Sequence, residues 1–438
     1  MPAADPPAAD PIGLLLAGRY PDPETGELLG ADTRSVIVAD SLAGDEVELV
    51  RALDVGPRLV VISDPATGQA LGDRVERALR SRFTVQSIRL DRAPEADTET
   101  VARLLASVEP RTDAVVAVGS GTLNDLAKLV AHARGIPQLV FATAPSMNGY
   151  TSVSASVLDG GIKRSLRTAT PVGAFFDLGV LAAAPPRMIR AGLGDSACRS
   201  TAQVDWLLAH LLLDRPYREA PFALLAADEA AVVAEPRALM AGDLEVMRRL
   251  VRTLVLSGFG MTICGGSYPA SQGEHLLAHY VTMMRTAEVP VGLHGEDIGV
   301  CTLVMATLQD AIIAREQPPV LQPSTVQRED VIRRFGAVAG DSCWRELEPK
   351  LLDRHRADQL NARLASGWPA MRSRLAAVAV GAARLRQLLA AAGAPLDPAA
   401  LGWPAALFDD ARRHAREIRD RYTFLDLAAD AAVAAPGG

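Results

Sequence analysis

The sequence predicts an α/β region with a parallel sheet, followed by an all-helical region. Two observations indicate this class. Short apolar runs alternate with helical patterns up to about residue 185, and strand signals nearly vanish beyond that point. Strands that alternate with helices form a parallel sheet covered by helices on both faces. A chain of 438 residues is also too long for one small core. We therefore expect an α/β domain over residues 1–185 and an all-helical domain over residues 186–438.

The elements of the α/β domain follow from their apolar spacing. The predicted strands are residues 59–63, 85–90, 114–118 and 138–141. The predicted helices between them are residues 69–83, 98–108 and 123–133. Ligands of such sheets bind beyond the carboxyl ends of the strands. We therefore expect the active site in a cleft between the two domains.

Composition excludes several classes of function. The net charge is -7, which argues against a nucleic-acid surface because such a surface needs a basic stripe. No apolar run reaches the ~18 residues of a membrane helix, and the N-terminus lacks the pattern of a signal peptide. We expect a cytoplasmic protein that binds no membrane. The four cysteines show no CxxC spacing and are expected to be reduced thiols.

A glycine-containing turn follows the third predicted strand. Gly119, Ser120, Gly121 and Thr122 stand where a helix begins, with Leu123 as its first apolar residue. Glycines let a ligand approach the backbone, and a helix N-terminus favours a phosphate. The turn is not GxGxxG, and a plain structural turn is an alternative. At the end of an earlier strand, Asp64 is suited either to a ribose contact or to a helix cap.

Three polar residues in the second half form a candidate metal site. Asp195, His275 and His294 offer one carboxylate and two imidazoles, and three protein ligands leave the open position that a catalytic metal needs. His279 stands four residues after His275, on the same face of a predicted helix. Asp195 could instead be a helix N-cap, and single histidines are more often structural.

These residues, taken together, resemble a known family. The chain resembles sn-glycerol-1-phosphate dehydrogenases, within the group of metal-dependent alcohol dehydrogenases, glycerol dehydrogenases and dehydroquinate synthases. The resemblance runs from about residue 35 to Leu427 and rests on residues 119–125, 143–152, 192–195, 269–279, 293–296 and 421–426. It implies a dehydroquinate synthase-like fold.

The resemblance also implies roles for single residues. It implies metal ligation by Asp195, His275 and His294, with zinc as the expected metal and nickel or iron fitting the same ligands. It implies substrate contacts for Asn148, Asp195 and His279, with Asp195 and His279 in the catalytic machinery. It implies NAD or NADP contacts for the following residues: Asp64, Gly119, Ser120, Gly121, Thr122, Leu123, Thr143, Ala144, Pro145, Ser146 and Ser152.

The implied reaction is hydride transfer that interconverts dihydroxyacetone phosphate and sn-glycerol 1-phosphate in a homo-oligomer. Three positions depart from the family pattern, which has Asp at Asn148 and usually has Arg at Tyr268 and Lys at Arg199. These changes leave three alternatives: a dehydrogenase of another polyol, phosphopolyol or aldehyde, a dehydroquinate synthase-type sugar-phosphate cyclase, or a degenerate member. A basic cluster of Lys163, Arg164 and Arg167 is suited to a substrate phosphate or is simply a solvated face.

Overall fold

The computed structural model describes residues 10–91, 94–160 and 162–432. The chain divides into two compact units. The first takes in the chain as far as Val157, together with Ser165–Ile189 and Arg218–Ser267. The second consists of Leu158–Arg164, Arg190–Tyr217 and the chain from Tyr268 onward. Compared with the boundary predicted after residue 185, the first unit thus also includes Arg218–Ser267.

The strands belong to three sheets. In chain order they are β1 (Tyr20–Pro21), β2 (Leu28–Leu29), β3 (Ser35–Ala39), β4 (Arg58–Ser63), β5 (Thr84–Arg89), β6 (Ala114–Gly119), β7 (Gln138–Ala142), β8 (Ser154–Asp159), β9 (Ile162–Arg167) and β10 (Gly173–Asp177). The main sheet has six strands in the order β3-β10-β7-β6-β4-β5, all parallel. The pairs β1–β2 and β8–β9 form small separate sheets.

Helices make up the rest of the regular structure. In chain order they are α1 (Pro11–Leu16), α2 (Glu46–Arg51), α3 (Pro65–Thr67), α4 (Asp73–Leu79), α5 (Thr98–Ser107), α6 (Gly121–Arg134), α7 (Leu178–Ala182), α8 (Pro186–Ala197), α9 (Arg199–Leu213), α10 (Ala220–Ala223), α11 (Ala226–Ala234), α12 (Pro236–Met240), α13 (Leu244–Ile263), α14 (Gly273–Met284), α15 (His294–Ile313), α16 (Arg328–Phe335), α17 (Ala337–Leu347), α18 (Arg354–Val378), α19 (Ala382–Ala391), α20 (Ala405–His414) and α21 (Phe424–Asp430). A π-helical turn, Gly68–Gly72, connects α3 to α4. Short 3-10 helices lie at Tyr268–Ala270, Glu348–Lys350, Ala399–Leu401 and Ala415–Ile418.

The predicted fold class is confirmed. The four predicted strands are β4 to β7, and no strand occurs among the described residues after Asp177. Two strands that extend the sheet beyond β7, namely β3 and β10, were not predicted. β10 is buried throughout, whereas every residue of β3 is only partly buried. Gly173 and Ala174 begin β10 and weaken its strand signal, because both residue types are depleted in strands.

Each unit has its own apolar core. In the first unit, residues such as Val61, Val116 and Phe141 pack between the sheet and its helices. In the second, α9, α14, α15 and α18 surround a core that includes Leu208, Leu277 and Trp368. Burying one such side chain stabilises the fold by about 1.5–3 kcal/mol. Over the described ranges, no helix combines the length and apolarity that spanning a membrane requires.

Candidate metal centre and cofactor loop

The three predicted metal ligands lie together in the second unit. Asp195 is on α8, His275 is on α14 and His294 is the first residue of α15. Their potential ligand atoms all lie within 4.8 Å of one another, and His275 Nε2 is 3.9 Å from Asp195 Oδ1. Asp195 and His275 are buried, whereas solvent reaches His294. One carboxylate and two imidazoles suit zinc or a related divalent metal, so this donor set fits the expected ion.

Close contact between two helices brings these residues together. A Cβ added to Gly295 on α15 would lie 1.9 Å from the Ala191 carbonyl oxygen of α8. A Cβ added to Gly194 would lie 2.2 Å from the Gly295 carbonyl oxygen. Both positions therefore require glycine. Asp195 directly follows one of these glycines and His294 directly precedes the other, so the helix contact sets their separation.

Asp195 does not cap a helix. It lies near the end of α8, inside the helix, so the N-cap interpretation was wrong. The predicted helical segment around His275 and His279 is confirmed as α14, and both side chains are buried. The rings of His275, His279 and His294 have centroids 5.2–5.8 Å apart. All four polar side chains thus meet in one place.

A buried carboxylate orients His275. Glu274 is fully buried, and its Oε1 lies 3.0 Å from His275 Nδ1. Glu274 also accepts hydrogen bonds from the Gln272 backbone N–H and from the Thr201 hydroxyl. A carboxylate on one ring nitrogen fixes the tautomer and leaves the other nitrogen for a metal. Here that other nitrogen is Nε2, on the side of Asp195.

A second buried carboxylate holds the start of α14. Asp205 accepts hydrogen bonds from the Gly273 and Phe424 backbone N–H groups and from the Gln309 side-chain amide, each at 3.0 Å. Burial and the nearby charge of Glu274 raise the pKa of Asp205 to about 8. Asp205 thereby ties the N-termini of α14 and α21 together. Neither Asp205 nor Glu274 was identified from the sequence, although Glu274 adjoins a predicted ligand.

Two of the histidines, His279 and His294, stay neutral near neutral pH. Burial lowers the pKa of His279 well below its ordinary value, and the positive charges of Arg419 and Lys163 contribute to this shift. The pKa of His294 is also lowered well below its ordinary value. Although the residue as a whole is exposed, the protein packed around its ring disfavours the charged form, as do the charges of His275 and Lys163. A neutral imidazole is the form that binds a metal.

The three residues of the predicted basic cluster lie in different surroundings. Lys163 acts electrostatically on His279 and His294. Arg164 instead pairs with Asp159 at 3.2 Å, and Arg167 is exposed. Arg419, which was not identified from the sequence, joins Lys163 as a cation near His279. Burial and the neighbouring charge of Arg419 lower the pKa of Arg421 to about 9.

Cys198 lies at the edge of the metal centre. Its sulfur, Glu274 and His275 could also share an ion, since their donor atoms lie within 4.8 Å of one another. The thiol donates instead to the Asp195 and Ala270 carbonyl oxygens, at 3.0 and 3.4 Å. Cys198 is therefore a buried residue that packs beside the ligands. All four cysteines are free thiols, as predicted.

The glycine-containing turn lies at the carboxyl edge of the sheet in the first unit. β6 ends at Gly119, and α6 begins at Gly121. A Cβ added to Gly119 would lie 2.4 Å from Leu123 Cδ1, so this glycine allows the helix to begin directly after the strand. Ser120, Gly121 and Thr122 are partly exposed, whereas Leu123 is buried in the helix. The predicted strand, turn and helix are confirmed.

Asp64 adopts the capping geometry that the sequence left open. It directly follows β4, the neighbour of β6 in the sheet. Its Oδ1 accepts from the Thr67 backbone N–H at 2.8 Å, and its own N–H donates to the Thr67 hydroxyl at 2.9 Å. The ribose contact stays a prediction, and it would require the same carboxylate to serve both purposes.

The remaining predicted cofactor residues follow β7. Thr143, Ala144 and Pro145 are buried, and Ser146 is partly exposed. Ser152 and Asn148 are buried farther along the same segment, and the Ser152 hydroxyl donates to the Gly149 carbonyl oxygen. β7 pairs with β6, so this segment and the glycine-containing turn leave the same edge of the sheet.

The other two departures from the family pattern lie in the second unit. Tyr268 lies between two side chains, with its ring 5.9 Å from that of Trp206 and 4.9 Å from the Arg421 guanidinium. Arg199 is the first residue of α9 and is buried. A tyrosine in a stack of this kind binds a cation through its ring face.

Known proteins share both the sequence and the fold of this chain. Residues 37–185 match the family described as iron-containing alcohol dehydrogenase. The glycerol-1-phosphate dehydrogenase [NAD(P)+] of Pyrococcus furiosus is 33% identical over 275 residues, which cover 63% of this chain and 78% of that protein. The protein of the same name from Bacillus velezensis is 31% identical over 337 residues, covering 76% and 74%.

The solved glycerol dehydrogenase of Schizosaccharomyces pombe has the same fold, with a TM-score of 0.62 and 15% identity over 91% of this chain and 88% of that one. The sequence relatives are similar enough, over enough of their length, to fix the family. This chain belongs to the glycerol-1-phosphate dehydrogenase family.

Proposed function

We propose that this protein is a metal- and NAD(P)-dependent oxidoreductase that interconverts dihydroxyacetone phosphate and sn-glycerol 1-phosphate. The observation that carries the proposal is the donor set of Asp195, His275 and His294, within 4.8 Å of one another in a chain of this family. The names of the relatives supply the substrate and the cofactor class.

Asp195, His275 and His294 would hold the metal, and zinc is the ion we expect. When bound, the metal supplies a Lewis acid for the oxygen of the substrate carbonyl or hydroxyl. Glu274 keeps His275 in one orientation through its Nδ1. His279, one helical turn farther along α14, is held neutral and can exchange a hydrogen bond or a proton with the substrate.

The positive charges near His279 support a phosphorylated substrate. The charges of Lys163 and Arg419 both act on the His279 ring, and the charge of Arg419 also acts on Arg421. A phosphate group would offset the repulsion among these cations, and lysine and arginine are the usual phosphate ligands. We place the substrate phosphate in this basic region of the second unit.

The cofactor contacts belong to the first unit. Residues 120–122 are partly exposed at the N-terminus of a helix of 14 residues, and such a helix end is suited to a pyrophosphate. Thr143 to Ser146 leave the adjacent strand at the same edge.

We also propose that the protein forms a homo-oligomer. Analytical ultracentrifugation would measure the number of subunits.

Metal reconstitution tests the proposal. Purified protein is stripped with a chelator, loaded with zinc, nickel or iron, and mixed with dihydroxyacetone phosphate and NADH or NADPH. We expect negligible oxidation of either cofactor without metal and restored oxidation with at least one ion. Full activity in protein shown to be metal-free would contradict the metal role. No oxidation with any of the three ions would contradict the proposed reaction.

A further inference from the structure

The 147–154 loop, which ends at the first residue of β8, lies against the start of α6. A Cβ added to Gly121 would lie 3.1 Å from the Met147 sulfur, and one added to Gly149 would lie 3.3 Å from the same atom. The Met147 sulfur thus packs against both glycines. The loop therefore borders the helix N-terminus proposed for the cofactor, and it contains both Asn148 and Ser152.

A single buried lysine holds this loop from within. Lys128 lies two turns into α6 and is 1% exposed. Its ammonium donates to the carbonyl oxygens of Gly149, Ser152 and Ser154 at 2.6, 2.9 and 3.3 Å, and it lies 3.2 Å from the Ser152 hydroxyl oxygen. An ammonium has three protons to donate, so these four acceptors are enough to satisfy all of its hydrogen bonds.

Burying this ammonium is unfavourable by itself. Burial lowers the pKa of Lys128 to about 8, and only the charge of Asp125 opposes that shift. An apolar side chain of similar length would fill the same space without the cost of desolvating a charge. What the lysine adds is a fixed position for three carbonyl groups of one loop.

We propose that Lys128 is a positioning residue that holds the 147–154 loop in the geometry required to bind cofactor and substrate. The inference rests on the proposed function, because it assigns Asn148 and Ser152 to that site. Asp125, one turn earlier on α6, assists by accepting from the Ser156 backbone N–H at 3.1 Å.

A second helix holds the middle of the loop independently. The Thr151 hydroxyl donates to the Val255 carbonyl oxygen of α13 at 2.6 Å. A Cβ added to Gly258 on the same helix would lie 2.2 Å from that hydroxyl oxygen. Removing the ammonium should therefore loosen the Gly149 and Ser154 parts of the loop while Thr151 stays anchored. We expect such a variant to fold.

Two isosteric replacements of buried polar side chains test the proposal. Lys128→Met removes the ammonium. The control, Gln138→Met, removes a buried side chain that bonds to Asn124 on the same helix, at 3.1 Å, and to Leu139. For both variants, the Kd of NADH and NADPH, the substrate KM, kcat, Tm and metal content are measured.

We expect Lys128→Met to raise the Kd and KM at least tenfold, with a smaller fall in kcat and unchanged metal content. Gln138→Met should leave the Kd and KM within twofold of the wild type. The positioning role would be overturned if the two variants had equal Kd and KM values and lost activity only in proportion to the fall in their Tm.

Wild-type measurements separate this inference from the proposed function. A wild-type protein that binds neither NADH nor NADPH would contradict both. Normal binding by wild type and by Lys128→Met would contradict the positioning role alone. If Lys128→Met does not fold, hydrogen exchange of the cofactor-free wild type decides instead. We expect the backbone amides of residues 151–156 to exchange slowly. Exchange as fast as that of an unstructured peptide would overturn the proposal.

Discussion

Three side chains that are distant in sequence, Asp195, His275 and His294, present oxygen and nitrogen atoms to one point. Each is placed by a different helix, and Glu274 fixes the ring of His275 through a 3.0 Å contact. Removing one ligand leaves only two protein atoms for the ion, which is too few to retain it tightly.

We predict that Asp195→Ala or His275→Ala loses both bound metal and activity. His355→Ala is the matched control, because this histidine is exposed on α18. Metal analysis of each purified variant, beside the NADH assay, gives the answer. Wild-type metal content in either ligand variant would disprove the site assignment.

Asn148 concerns the substrate rather than the metal. The resemblance places a carboxylate at this position, whereas an amide carries no charge and can donate hydrogen bonds as well as accept them. We predict that Asn148→Asp increases kcat/KM for dihydroxyacetone phosphate if the substitution reflects a change in specificity. Unchanged or lower kcat/KM would count against that explanation.

At the scale of elements, the contact between α8 and α15 positions Asp195 and His294. We predict that Gly295→Ala lowers stability by about 1–3 kcal/mol and reduces metal affinity, because its Cβ would meet the Ala191 carbonyl oxygen at 1.9 Å. Chemical denaturation and chelator competition provide the two measurements.

Gly367→Ala is the control for that prediction. Gly367 lies within α18, and its added Cβ would meet only Met371 Cε, at 3.4 Å. Alanine there should stabilise the helix by about 0.5–1 kcal/mol. A Gly295→Ala protein as stable and as metal-binding as Gly367→Ala would show that the helices need not approach closely.

The ammonium of Lys128 ties α6 to the 147–154 loop, and its burial should make the stability of the protein depend on pH. Burial lowers its pKa to about 8 in the folded chain, from the ordinary value of 10.5, and Asp125 is the charged group that opposes the shift. Between these values the unfolded chain binds more protons, so stability rises with pH. The full change is on the order of 3 kcal/mol.

We therefore predict that the wild type gains stability relative to Lys128→Met as the pH rises from 8 towards 10.5. Below pH 8, the difference between the two proteins should be constant. Denaturation at a series of pH values measures it. A wild type that loses stability relative to Lys128→Met as the pH rises would show that the charged lysine is not disfavoured by its surroundings.

At the scale of the whole molecule, patterns with a strong local period were predictable. Buried runs such as Leu59–Ile62 and Val115–Val118 identified the central strands, because such runs form the interior of parallel sheets. The 3.6-residue period identified α5 and α6. The edge strand β3 is partly exposed along its whole length and offered no such run.

The donor set could be suggested from residue types, but its geometry could not. Whether Asp195 meets His294 depends on the contact of α8 with α15, which neither helix specifies alone. The supporting residues were also hidden from sequence patterns, because they act through tertiary contacts. Asp205 holds the start of α14 through a 3.0 Å hydrogen bond from the Gly273 backbone N–H, 68 positions farther along the chain.

Lys128 is a similar case, because its acceptors lie 21 to 26 positions farther along the chain. The helical period shows that this lysine falls on α6, but it does not show which carbonyl groups surround the ammonium. That information comes only from the path of the loop after β7.

The central claim is that this protein transfers hydride between NAD(P)H and dihydroxyacetone phosphate. The most direct test mixes metal-loaded protein with both compounds and follows cofactor oxidation, free phosphate and the stereochemistry of the product. We predict one cofactor oxidised for each sn-glycerol 1-phosphate formed, with no phosphate released. Free phosphate without net cofactor oxidation, or bound cofactor with no turnover, would contradict the claim.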